Sequence, residues 1–379
     1  MDTSTATLST PFATVDGLPI VDVSAWLNRA TAPTAAAEEA KRVAAALHEW
    51  GVVIVRDARA TEQDNDNFLD LMERYYAQTE EARAADVRKE LHYQVGTTPG
   101  FVEKPRNHCD VTRALAPANR PLSLCPPERD AKGRFFWRLG APPLTTRFPQ
   151  MNAPAVVPAA FSETWAGVMN AWGGKLLAAG EAVAAMAAAG LGLADDDFTS
   201  RMVGAPHLLA PTAVDLKLHG AKGTVLAGFH ADLNFITVHG RSRFPGLYVW
   251  TRDGRRRAVR GVPAGCLLVQ AGRQLEYATA GYVLAGFHEV VVDDSTVATV
   301  AAAAARGDSC WRISSTAFLH LASDVELRPY KHFAEVPEAA ARFPSIFVGD
   351  HVAAELRAIS LAPSDAERAS GDDDAVAAM

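Results

Sequence analysis

The chain has 379 residues, 49% hydrophobic and 21% charged, with 37 Lys and Arg against 44 Asp and Glu for a net charge of −7. That composition is globular, with enough apolar surface for a sizeable core. The acidic balance argues against a nucleic-acid binder, which carries a basic stripe. The longest apolar run, Ala182 to Ala194, is mostly Ala and Gly and spans thirteen residues, short of the roughly 20 that a membrane span needs. Met1 to Thr10 is polar and lacks the pattern of a signal peptide. Cys109, Cys125, Cys266 and Cys310 form no C-x-x-C pair and are irregularly spaced. That spacing predicts neither a zinc ribbon nor a disulfide framework and fits a reducing compartment. Together these features predict a soluble, cytoplasmic protein.

Residues 1–15 read as a disordered N-terminus. Leu18 to Val23 reads as a short strand. Thr34 to Trp50 has apolar residues at helical spacing (Val43, Ala46, Leu47, Trp50), and Gly51 stops it. Val52 to Val55 is a continuous β-branched run, which predicts a buried strand. Asp66 to Gln78 predicts a second helix, with Phe68, Leu69, Met72 and Tyr76 on one stripe. From His92 to about Leu144 the chain is irregular and rich in Gly, Pro and Arg, the texture of functional loops. Pro158 to Leu191 predicts a long helix ended by Gly190 and Gly192.

After Arg201 short β-rich segments alternate with turns: Val214–His219, Thr224–Phe229, Phe235–His239, Leu247–Thr251, Cys266–Ala271, Val283–Val292 and Trp311–Ala322. Seven strands at this spacing predict a sandwich or jelly roll. Arg252 to Arg260 holds five Arg, and Asp253-Gly254 within it predicts a solvated hairpin tip. Ala301–Arg306 reads as a small helical or loop insert and His351–Ile359 as a last helix. The division predicted is 16–200 for the N-terminal helical region with first strands and substrate loops, 201–330 for the core, 331–361 for a C-terminal helical segment and 362–379 for a mobile tail.

His230-Ala231-Asp232 is a candidate metal motif, because residues i and i+2 of a strand point to one face. A non-haem Fe(II) site needs two His and one carboxylate on one face of the ion. Eleven His and 44 acids give about one such pair by chance, and the chain has a second, His108-Cys109-Asp110. Context separates them. His230 follows the apolar Val225-Leu226-Ala227, and His288 ends a distant stretch that continues into Glu289-Val290-Val291-Val292. Arg312 and Ser314 share a strand face, where a guanidinium fork and a hydroxyl would clamp a carboxylate.

From Phe229 to Phe318 the chain resembles the isopenicillin-N-synthase-like Fe(II)/2-oxoglutarate-dependent dioxygenases. The resemblance rests on His230, Asp232, His288, Arg312 and Ser314 in order, with Pro245-Gly246-Leu247-Tyr248-Val249-Trp250 and Val262-Pro263-Ala264-Gly265 between them. Leu18-Pro19-Ile20-Val21-Asp22 and Gly51 to Val55 resemble that family's N-terminal region. Three departures stand out. Between His288 and Arg312 lie 23 residues, where the family has a much shorter link, so Asp293 to Asp308 reads as an insertion. The family's upstream Asn-x-Tyr is replaced by Leu208-Leu209-Ala210-Pro211-Thr212. Asp215, Lys217 and His219, alternating on one strand face, are the candidates to substitute for it. Gly272-Arg273 stands where the family has Gly-Asp.

The resemblance implies an α+β fold with a mainly β core, a double-stranded β-helix (jelly roll) with packed N-terminal helices. It implies Fe(II) on His230, Asp232 and His288, and 2-oxoglutarate on Arg312 and Ser314, with ascorbate as an activator. The implied reaction oxidises, by default hydroxylates, a small-molecule metabolite and releases succinate and CO2, an activity typical of secondary metabolism. Tyr93, Arg106, Trp137 and Arg138 are the candidate substrate contacts. Trp250, Phe229 and Phe235 either shield the site or pack in the core. Neither nucleic acid nor membrane is an expected partner, and the oligomeric state is open. Three other functions remain open: a 2-oxoglutarate-independent iron oxidase on the same fold, a nucleic-acid demethylase, and a non-catalytic β-barrel binding module. The demethylase is disfavoured by the net charge and by Phe318, where such enzymes have a second Arg.

Overall fold

The computed structural model describes residues 13–362. The expected tail beyond residue 362 and most of the expected disordered N-terminus lie outside them. Ala13–Val15, at the inner end of that N-terminus, is already a strand, β1, paired with β2 (Leu18–Asp22). In chain order there follow β3 (Val52–Arg56), β4 (Gly96–Thr98), β5 (Gly133–Leu139), β6 (His207–Leu209) and β7 (Thr212–Asp215). Then come β8 (Val225–Ala231), β9 (Ile236–His239), β10 (Leu247–Trp250), β11 (Arg256–Ala258) and β12 (Cys266–Ala271). After them come β13 (Phe287–Val291), β14 (Trp311–Ile313) and β15 (Thr316–Leu319).

These strands form two sheets. The larger has the order β1-β2-β3-β12-β9-β15-β6-β5-β7-β14, with β4 against β5, and the smaller is β11-β10-β13-β8. All pairings are antiparallel except β2 with β3. The chain switches between sheets as it advances: β8 small, β9 large, β10 and β11 small, β12 large, β13 small, β14 and β15 large. Strand β3 shows why both faces of the large sheet are apolar. Val53 and Val55 pack into the main core with the helices, whereas Val52 and Ile54 meet Val249 of the small sheet.

The helices cover the outer face of the large sheet. Pro33–Trp50 buries Ala36, Ala40, Val43 and Leu47 and ends on Gly51 at φ 67. Glu62–Tyr76 begins four residues before the apolar stripe suggests, because Thr61 and Asp64 form a capping box. Trp165–Gly190 starts later than expected, after a short 3-10 turn at Ala159–Phe161. The insert between β13 and β14 is the helix Asp294–Arg306, capped by Asp293 and closed by Gly307 at φ 76.

Three sequence expectations need correction. Val214–His219 is not one strand, because β7 stops at Asp215, whose side chain accepts from the Lys217 N–H at 2.8 Å and starts a helical turn. Asp215, Lys217 and His219 therefore do not share a strand face. Trp311–Ala322 divides at Ser314-Ser315 into β14 on β7 and β15 between β6 and β9. The four Cys are not all free, since Cys109 and Cys125 are joined by a disulfide while Cys266 and Cys310 are free and buried. The argument for a reducing compartment from scattered thiols falls with that pairing. The large sheet takes in strands on both sides of residue 200, joining β1 to β5 with the later strands.

No helix among the described residues is long and apolar enough to cross a membrane. Two predictions follow from the packing. Unfolded, unreduced protein should titrate two thiols, and all four only after reduction; four thiols before reduction would contradict the pairing. A Cβ on Gly180 would lie 2.2 Å from Leu319 Cδ2 and 3.0 Å from Val238 Cγ2. Gly180→Val should therefore lower stability by about 1–3 kcal/mol in denaturant unfolding, and an unchanged midpoint would contradict this helix–sheet contact.

Candidate metal centre

Strands β8 and β13 pair so that His230 lies directly opposite His288. Cross-strand neighbours share a face, and the two rings lie 4.2 Å apart between centroids. Asp232, just past the end of β8, brings Oδ1 to 3.5 Å from His230 Nε2 and 3.9 Å from His288 Nε2. One ligand atom from each of the three lies within 4.8 Å of the other two. Among the described residues this is the one group of His, Cys, Asp or Glu so arranged.

The surroundings fix each ligand. His230 Nδ1 faces the Gly228 carbonyl at 2.6 Å and His288 Nδ1 faces the Gly286 carbonyl at 3.4 Å. Both contacts favour protonation at Nδ1, leaving Nε2 as the lone-pair donor. Asp232 Oδ2 accepts from Thr237 Oγ1 at 2.5 Å, which leaves Oδ1 toward the imidazoles. Burial opposes charge on Asp232, but His288, His230 and Thr237 outweigh it and hold the carboxyl well below its usual range. Burial pushes His288 down to about 3. A close approach locks the turn after Asp232: a Cβ on Gly272 would sit 2.0 Å from the Asn234 carbonyl oxygen.

The three side chains open onto a cavity of about 850 Å³ that Arg312 and Ser314 also line. Arg312 is 6% exposed and has no carboxylate partner among the described residues. Its Nε donates to the Pro245 carbonyl at 3.2 Å, and burial pushes its pKa down to about 10. Ser314 Oγ accepts from the Thr212 N–H at 2.8 Å and from Thr212 Oγ1 at 3.0 Å. Its own proton is thus left to donate elsewhere. A buried cation without a counter-ion is costly, and a carboxylate is the group that a guanidinium fork and a hydroxyl accommodate. The donor set of two imidazoles and a carboxylate suits a divalent iron.

The substrate candidates fare unevenly. Arg106 lines the cavity and pairs with Glu355. Tyr93 packs against the main core instead, while its neighbour Gln94 lines the cavity. Trp137 and Arg138 also miss the cavity. Trp137 Nε1 donates to Asn170 Oδ1 at 2.9 Å, and Arg138 is buried against Asn152 Oδ1 at 3.2 Å and the Ala205 carbonyl at 3.2 Å. Arg134 and Phe136 line it in their place, four and two residues back along the Arg138 face of β5. Phe229 stacks on Phe287 at 4.6 Å and meets Trp250 edge-on at 4.8 Å, and Phe235 packs on Phe198. None of Phe229, Trp250 and Phe235 lines the cavity.

Several cavity residues carried little signal in the sequence. Glu103, Asp130, Lys132 and Arg134 form a buried ionic group, with Lys132 Nζ 3.2 Å and Arg134 Nη1 2.6 Å from Glu103. Burial opposes the charge of Glu103, but Arg134, Lys132 and His230 hold it down to about 2. Asp130 Oδ1 accepts the Gly228 N–H at 2.9 Å, two residues before His230. Period-2 alternation from Phe136 points to Arg134, but only once the inward face of β5 is known. His108, in the discounted His108-Cys109-Asp110 motif, reaches the cavity, whereas Asp110 is exposed and paired with Arg113.

No family model matches the chain, and no curated protein matches it in sequence. Solved structures do match in shape. A chain from Caulobacter crescentus, described as a 2OG-Fe(II) oxygenase family protein, superposes with a TM-score of 0.66 at 22% identity, covering 90% of this chain and 99% of that one. Full-length Neurospora crassa T7H, in complex with alpha-KG (2-oxoglutarate) and thymine, gives 0.67 at 18% identity, covering 91% and 98%. JOX2, in complex with 2OG, Fe and JA, gives 0.60 at 14% identity, covering 94% and 92%. The chain thus has the fold of 2OG-Fe(II) oxygenases, an α+β architecture, in agreement with the family its sequence resembles.

Proposed function

We propose that the chain is an Fe(II)- and 2-oxoglutarate-dependent dioxygenase that oxidises, by default hydroxylates, a small-molecule metabolite and releases succinate and CO2. The observation that carries this reading is the common cavity: a His230–Asp232–His288 donor set and a buried, uncompensated Arg312 open onto the same space. The alternation of β8 to β15 between two sheets supports reading residues 201–330 as a double-stranded β-helix (jelly roll). The thymine and JA held by T7H and JOX2 support a small organic substrate.

His230 Nε2, His288 Nε2 and Asp232 Oδ1 would hold the iron, with Thr237 keeping Asp232 turned toward it. Arg312 and the Ser314 hydroxyl would receive the distal carboxylate of 2-oxoglutarate. When bound, iron and 2-oxoglutarate supply the oxidising chemistry, with dioxygen as the oxidant. The protein orients the cosubstrate and excludes water around it. A 2-oxoglutarate-independent oxidase would instead set a carboxylate of its own substrate on Arg312, and succinate release separates the two.

The test is succinate release on a panel of small metabolites with Fe(II), 2-oxoglutarate and ascorbate. Asp232→Ala should abolish iron binding and succinate formation while the fold persists by circular dichroism. Iron retained at full occupancy would contradict the ligand assignment. Arg312→Lys should raise the 2-oxoglutarate KM by at least about tenfold, because a point charge cannot replace a two-pronged contact. An unchanged KM would remove Arg312 from the cosubstrate site.

A further inference from the structure

We propose that Arg106, His108 and Arg273 form a carboxylate-binding corner of the cavity, so that the substrates are organic acids with an apolar body. The word substrate rests on the dioxygenase reading; the anion site rests on the geometry that follows.

All three side chains line the cavity that holds His230, Asp232 and His288. They come from separate segments: the loop before the short helix Cys109–Ala114, and the first turn of the helix Arg273–Ala278. Each guanidinium commits one nitrogen to a protein acid. Arg106 Nη1 pairs with Glu355, and Arg273 Nη1 donates to Glu276 Oε2 at 2.8 Å. The same Glu276 oxygen also accepts the Ala285 N–H at 3.0 Å. The other guanidinium N–H groups of the two arginines make no hydrogen bond among the described residues.

His108 makes no side-chain hydrogen bond among the described residues either. Its ring stands edge-on to Phe287 at 5.0 Å and to Phe229 at 6.5 Å. Its backbone is held by the neighbouring Cys109, which is tied to Cys125 and donates its N–H to Asn107 Oδ1 at 3.0 Å. Arg273 is held in turn, with its guanidinium 5.3 Å from the Phe287 ring centre. The donors are therefore placed before any ligand arrives, which lowers the entropy cost of binding.

Glu355 and Glu276 each pair with one of the two arginines, so a ligand carboxylate would share these guanidinium groups with them. Burial, then Arg273 and Arg106, push His108 down to about 4. His351, on the helix Val348–Ala358, is likewise lowered by burial and by the same two arginines, against the opposing pull of Glu355. A planar carboxylate matches the forked donors of arginine, and a neutral imidazole can add one more N–H. Pro105, Leu233, Leu356 and Ile359 line the same cavity and offer apolar contact to the rest of an acid.

The test uses the full chain loaded with Co(II) and saturating 2-oxoglutarate, so that Arg312 is already occupied. Phenylacetate and hexanoate are titrated beside their primary amides by calorimetry. Wild-type protein should bind at least one acid about tenfold or more tighter than its amide, the value of a charge-assisted contact. The double variant Arg106→Met, Arg273→Met, which keeps the aliphatic stems, should lose that preference. The proposal is overturned if neither acid outbinds its amide in the wild type, or if the preference survives the double variant. It is also overturned if Arg312→Lys removes the preference instead. Failure of Co(II) or 2-oxoglutarate to bind would sink the dioxygenase reading separately, because the acid–amide comparison can be read on metal-free protein.

Discussion

The register between β8 and β13 sets His230 against His288, and the site depends on it. A slip of one residue would turn every side chain of β8 to the other face and put Phe229 where His230 stands. The aromatic layer behind the ligands resists that slip. Phe229 and Phe287, each one residue before a ligand His, stack on the outer face of the small sheet and are closed by Trp250. The alternation that sends the imidazoles inward thus sends these rings outward into their own packing.

The irregular segment between β4 and β5 makes that outer layer stable. It crosses the small sheet, where buried Glu289 accepts the N–H groups of Leu122 and Ser123 and pairs with Arg256 at 3.0 Å. Ser123 Oγ accepts the Phe229 N–H at 2.7 Å. Farther along, Asp130 takes the Gly228 N–H, and the Gly228 carbonyl faces His230 Nδ1. The loop therefore contributes the outer support of both ligand strands as well as the cavity residues Glu103, Arg106 and His108. A buried ion group such as Glu103 with Lys132 and Arg134 is a poor way to gain stability over apolar packing. It sits on the cavity wall.

Much of this was legible in the sequence where a local rule decides the outcome. The β-branched run of β3, the alternating texture of β8 and β9, and Cys266–Ala271 all form strands as read. The five residues His230, Asp232, His288, Arg312 and Ser314 do open onto one cavity. What stayed hidden depends on tertiary surroundings. Trp137 and Arg138 are adjacent on a strand, so they face opposite sides, and local texture does not tell which side holds the cavity. Asp215 to His219 alternates as a strand would, yet a single side-chain cap at Asp215 turns it into a helical turn. Cys109 and Cys125 meet only because the loop folds back on itself, and His108 reaches the cavity through that same fold.

The central claim is that three side chains from two paired strands converge on one ion. The most direct measurement is an anomalous-scattering map from crystals grown anaerobically with Fe(II) or Mn(II). The account predicts one strong peak about 2.0–2.2 Å from the ligand nitrogens and carboxylate oxygen, lying between Nε2 of His230, Nε2 of His288 and Oδ1 of Asp232. A map with no peak there, or with the ion held by other residues, would contradict it.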